Sequence, residues 1–151
     1  MSGPTQMDAI LDFAIEKEQE AVDFYTDLAS RMGSRAMKDV FAQFAQEERG
    51  HKAKLQAVKA GKRVLIAARP VADLKLADYL VAEEPGPDMD YREALLLAMK
   101  REKAAFRLYS DLAAEAPDAE VRETFLALAQ EEAKHKLRFE IEYDEQILKE
   151  G

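Results

Sequence analysis

Ala45-Gln46-Glu47-Glu48-Arg49-Gly50-His51-Lys52 returns 84 residues later as Ala129-Gln130-Glu131-Glu132-Ala133-Lys134-His135-Lys136. The two copies hold both histidines of the chain, and each histidine follows a glutamate by three residues. Working outward, the same ungapped shift matches Leu11 with Leu95, Ala14 with Ala98, Glu18 with Glu102, and Ala21 with Ala105. It also matches Tyr25 with Tyr109, Asp27-Leu28-Ala29 with Asp111-Leu112-Ala113, and Phe41 with Phe125. A period of this kind marks a duplicated supersecondary unit. The repeat covers 7–60 and 91–144, with 62–89 between the copies, inside what reads as one domain of 151 residues.

Each copy reads as two helices. The first pattern runs from Met7 to Met32, with Thr5 and Asp8 as a capping pair and Gly33 as its stop. The second runs from Arg35, capped by Ser34, to Gly61. The third begins after Asp90, with Glu93 three residues on, and reaches Ala116. The fourth follows Pro117, takes Asp118 as its cap and runs to Leu148. Ala, Leu, Glu, Lys and Gln dominate, all strong helix formers, so the expected class is all-α.

The segment 62–89 is different. Arg69-Pro70 and Glu84-Pro85-Gly86-Pro87 break helices, and a short helix fits only over 74–81. The other two connections are tight. Two antiparallel hairpins joined by one long crossover between the second and third helices give the ferritin-like arrangement of the four-helix bundle.

Helical periodicity selects the inward glutamates, because residues three or four apart share a face. Glu18 lies within the stripe Leu11, Ala14, Ile15, Ala21, Val22, Tyr25, Leu28, Ala29. Glu102 lies within Leu95, Ala98, Met99, Ala105, Phe106, Tyr109, Leu112. Glu48 sits among Phe41, Phe44, Ala45 and Leu55, and Glu132 among Phe125, Leu128, Ala129 and Phe139. Glu47 and Glu131 also repeat, but they share faces with Lys54, Lys134 and Arg138 and read as outward or supporting. Four buried carboxylates would have to take up protons or surround something cationic. Two divalent ions meet that need, and mixed carboxylate and imidazole donors suit iron or manganese, with zinc also possible.

The ExxH pairs and the stretch Glu18-Gln19-Glu20-Ala21-Val22-Asp23-Phe24-Tyr25 resemble the ferritin-like di-iron carboxylate proteins, and within them the rubrerythrin-like branch. The resemblance implies two iron ions per chain. Glu18 and Glu102 would be terminal ligands, Glu48 and Glu132 bridging ligands, and His51 and His135 would each complete one metal. Tyr25 and Tyr109 would stand beside the site and hydrogen-bond to ligand carboxylates. The implied activity is that of a di-iron oxidoreductase acting on peroxide or O2. Ferrous-iron oxidation and a non-catalytic, metal-stabilised interaction module are the alternatives. Rubrerythrins also carry a small iron domain held by four cysteines. The present chain has no cysteine, so an external donor such as a rubredoxin is expected. The extra carboxylate that rubrerythrins place one turn after the third-helix glutamate is here Ala105, mirrored by Ala21. The ligand set is thus the symmetric six-membered kind seen in bacterioferritin-like sites.

The formal charge of −8 argues against nucleic acid or an anionic membrane as partner. No basic region followed by an apolar run opens the chain, and no apolar stretch approaches a membrane span. A cytoplasmic protein is expected. Val64-Leu65-Ile66, Leu76, Tyr79, Leu80 and Val81 are more apolar than a solvated loop needs, and they point to a homodimer.

Overall fold

The computed structural model describes residues 6–61, 81, 84–86, 88–116 and 119–150. Among these are four α-helices and no strand: α1 (Gln6–Arg31), α2 (Arg35–Gly61), α3 (Tyr91–Ala114) and α4 (Ala119–Glu150). Their boundaries fall within about two residues of those read from the sequence. Thr5, Asp118 and most of the crossover, including the expected helix at 74–81 apart from Val81, lie outside the described residues.

Side-chain chemistry fixes two of the starts. The Ser34 hydroxyl accepts from the Met37 amide at 3.2 Å, and the Ser34 carbonyl takes the first helical bond, from Lys38, at 3.1 Å. Asp90 and Glu93 form a reciprocal capping box. The Glu93 amide donates to the Asp90 carboxylate at 2.8 Å, and the Asp90 amide donates back to Glu93 at 3.4 Å. Replacing Asp90 by alanine is expected to cost about 1 kcal/mol. Urea unfolding would show it as a lowered midpoint with an unchanged slope.

The end of α1 departs from expectation. No glycine among the described residues has positive φ, so Gly33 does not supply a left-handed cap. The Lys38 ammonium reaches back instead to the carbonyls of Ala29 and Ser30, at 3.3 and 3.4 Å. A cation placed there both satisfies the last carbonyls and opposes the negative end of the helix dipole.

The described residues pack as two units. One contains α1, α2 and the start of α4 up to Thr124; the other contains α3 and α4 from Phe125 onward. In the first, Asp12 pairs with Lys59, Gln19 with Lys52 at 2.7 Å, and Tyr25 packs on Phe44 with ring centres 5.9 Å apart. Partner numbers fall as α1 rises, which defines an antiparallel hairpin. In the second, the Tyr91 hydroxyl donates to Glu142 at 2.7 Å, Glu102 meets His135, and Tyr109 stacks on Phe125. That hairpin is antiparallel as well.

The cores repeat with the sequence. Tyr25 lies over Phe41 at 6.2 Å and 11°, and Tyr109 lies over Phe125 at 6.4 Å and 14°. Leu11, Leu28, Phe41, Leu55, Leu95, Leu112, Phe125 and Phe139 are fully buried. Three positions depart from the expected α3 stripe. Phe106 is exposed and Met99 and Ala105 are only half-buried, whereas Leu97 and Leu108 are buried. Leu108 is the repeat partner of Phe24, also buried, so the apolar arc of α3 is wider on that side than a single stripe through Glu102 implies.

Candidate metal centre

Six polar or charged side chains are buried among the described residues: Glu18, Glu48, His51, Glu102, Glu132 and His135. They are the six that the repeat and the apolar stripes single out. Each lies on the core face of its helix because its neighbours one turn away are apolar. For Glu18 these are Ala14 and Val22; for Glu48 they are Phe44 and Ala45. Glu16 is exposed and Glu20 is paired with Lys17 at 3.0 Å. Glu47 and Glu131 are half-buried, the latter 3.8 Å from the Lys134 ammonium.

Within the first unit, His51 Nδ1 lies 3.3 Å from Glu18 Oε2 and 3.1 Å from Glu48 Oε1. Within the second, His135 Nδ1 lies 3.5 Å from both Glu102 Oε2 and Glu132 Oε1. Each hairpin therefore gathers two carboxylates around one imidazole nitrogen. Donor atoms that share a divalent ion at ~2.1 Å sit about 3.0–3.4 Å from one another, close to the separations found. The residues present fit a metal in donor type and in spacing.

The electrostatics of the protein without metal point the same way. Burial, and after it the neighbouring Glu48 carboxylate, raises the pKa of Glu18 well above its ordinary value. Burial alone would depress that of His51, but the carboxylates of Glu18 and Glu48 outweigh it and lift it to about 10. A proton on the imidazole is thus held in place by two carboxylates that a metal ion would occupy more fully.

Tyr25 and Tyr109 are each 1% exposed and follow Glu18 and Glu102 by seven residues, which places them on the same helix faces. Their rings are held by the stacking on Phe41 and Phe125.

The family model for rubrerythrin matches residues 9–143. The chain belongs to the rubrerythrin family. With its four helices it has the all-α, ferritin-like four-helix fold of that family, and its buried histidines and glutamates can hold metal. No curated protein and no solved structure matches the chain. Among the described residues, no helix is long and apolar enough to cross a membrane.

One polar tie in the rubrerythrin-family core escaped the sequence reading, namely Tyr91 with Glu142. The repeat gives no signal for it, since the equivalent positions are Met7 and Val58.

Proposed function

We propose that this rubrerythrin-family chain is a di-iron oxidoreductase that reduces peroxide or O2. The observation that carries the reading is the pair of buried donor sets, two carboxylates and one imidazole in each hairpin. Glu18, Glu48 and His51 would be the metal ligands of one hairpin, and Glu102, Glu132 and His135 those of the other. Iron bound there would supply the two electrons with which peroxide and two protons become two waters. The four carboxylates balance the charge of two divalent ions inside an otherwise apolar interior. Tyr25 and Tyr109, locked on Phe41 and Phe125, keep the ligand faces packed against water and offer hydroxyls to ligand carboxylates. An external donor such as a rubredoxin restores the ferrous state.

A second reading, ferrous-iron oxidation, draws support from Ala21 and Ala105. Both are half-buried where an additional carboxylate would make the two donor sets unequal. The symmetry of the six donors suits iron that enters and leaves. Elemental analysis after anaerobic Fe(II) loading is expected to give about two irons per chain, lost in a Glu48→Ala/Glu132→Ala variant. Stopped-flow oxidation then separates the readings. Faster reaction with peroxide than with O2 supports the reductase, and continued uptake of ferrous iron beyond two per chain supports the ferroxidase. Fewer than about one metal per chain, unchanged in the variant, would remove both.

A further inference from the structure

The stripe of α3 through Glu93, Leu96, Leu97, Lys100 and Lys103 borders a cavity of about 530 Å³. These positions recur every three or four residues, so they share one side of the helix. Leu97 is buried, Leu96 is 44% exposed, and Met89 and Met99 are half-buried. All four line the cavity, and Lys136 of α4 lines it as well. Pockets that take small organic ligands hold about 300–1,000 Å³ and share this make-up, mostly apolar with a few polar groups.

The duplication shows that the hairpin does not require such a cavity. Shifted back by 84, Leu96, Lys100, Lys103 and Lys136 become Asp12, Glu16, Gln19 and Lys52. In the first hairpin, polar ties cross that stripe. Asp12 pairs with Lys59, and the Lys52 ammonium donates to Gln19 at 2.7 Å. Neither tie can form in the second hairpin. Leu96 and Tyr143 stand where Asp12 and Lys59 would be, and two ammonium groups, Lys103 and Lys136, replace the Gln19–Lys52 bond. Lys136 reaches Glu140 instead, at 3.0 Å. The buried glutamates and histidines are the same in both hairpins, so holding them in place does not explain the change.

Charge identifies the occupant. The exchange of Glu16 for Lys100 and of Gln19 for Lys103 makes this stretch basic in a chain of net charge −8. The lysines stand at one end of the cavity. At the other are Glu84 and Glu93, the latter part of the capping box with Asp90. From Glu93 to Lys103 the helix rises about 15 Å. An apolar slot of that length, basic at one end and acidic at the other, suits an unbranched hydrocarbon chain with an anionic head. The ammonium groups attract the head, and the acidic end repels it, which sets the direction of binding. We propose that the cavity binds the anion of a medium-chain fatty acid, with its carboxylate at Lys100 and Lys103 and its chain over Leu96, Leu97 and Met99. None of these side chains is among the six buried polar ones, so the site is separate from the candidate metal centre.

The test is isothermal titration of the full, metal-loaded chain with dodecanoate, kept below its micelle concentration. One equivalent is expected to bind with a Kd of about 10 μM or tighter. Dodecyltrimethylammonium has the same chain and the opposite head, and is expected to bind at least tenfold more weakly. Lys100→Glu/Lys103→Gln restores the charges of the first hairpin, and Leu96→Asp restores its polar residue. Each should weaken dodecanoate binding at least tenfold, with helix content and metal per chain unchanged. Four results would overturn the proposal. They are no binding of dodecanoate at about 100 μM, equal binding of the cationic analogue, unchanged affinity in both variants, or binding to phosphatidylglycerol vesicles but not to dodecanoate. The last would assign the basic stretch to a lipid surface. The comparison of head groups uses the wild type, so it decides the matter even where a variant fails to fold.

Discussion

Removal of metal is expected to lower the melting temperature at pH 7.5 by about 15 °C or more. Each ion bound at a thousandfold excess over its Kd contributes about 4 kcal/mol, and a chain of this size loses about 2–4 °C per kcal/mol. The pH dependence gives the sharper test. In the metal-free protein Glu18 has a raised pKa and His51 is lifted to about 10, so the folded state holds protons that the unfolded chain releases. The Glu18 contribution is complete below the ordinary carboxylate range and is lost as pH rises toward its raised value. The His51 contribution is complete below about 6.5, the ordinary histidine value, and is lost as pH rises through about 10. Both slopes have the same sign: metal-free protein is more stable near pH 5.5 than near pH 8. The metal-loaded protein should show the reverse order, because protons compete with metal for the same atoms. Melting curves with and without chelator at the two pH values test this. Coincident curves would mean that the buried carboxylates are balanced without metal.

Phe41→Ala is expected to destabilise by about 3–5 kcal/mol, lowering the melting temperature by about 10 °C. Phe41 is fully buried, and its ring is the platform on which Tyr25 stacks. The truncation opens a cavity and frees the Tyr25 ring together, seven residues from Glu18 on the same face. Phe125→Ala should reproduce the loss in the other hairpin, where Tyr109 has the same platform. Phe106→Ala is the control. That ring is 39% exposed, and its removal should cost less than about 1 kcal/mol. Chemical denaturation of the three metal-free variants separates the packing effect from metal binding. Equal losses for Phe41 and Phe106 would mean that the stacked pair does not organise the core.

The helices and the six buried glutamates and histidines were legible in the sequence for different reasons. The helices came from period and caps, and Ser34 and Asp90 cap as read because a side-chain oxygen before a helix has one geometry that satisfies a free amide. The buried glutamates came from contradiction: Glu18, Glu48, Glu102 and Glu132 interrupt apolar stripes, and duplication retained them. What stayed hidden had no such marker. Phe106 occupies the position of buried Val22, and nothing in its residue type reveals that the arc of α3 turns toward Leu108. The backward reach of Lys38 depends on the path of the turn through Gly33, which composition does not encode.

The equivalence of the hairpins turns the molecule into its own spectroscopic reference. The chain has only two histidines, one buried in each hairpin, so an imidazole nitrogen spectrum contains the resonances of His51 and His135 and nothing else. Titrating a diamagnetic ion such as zinc then gives a direct count. Simultaneous shifts would report matched affinities in the two halves. Sequential shifts would report that duplication has been followed by divergence, and would name the half that fills first.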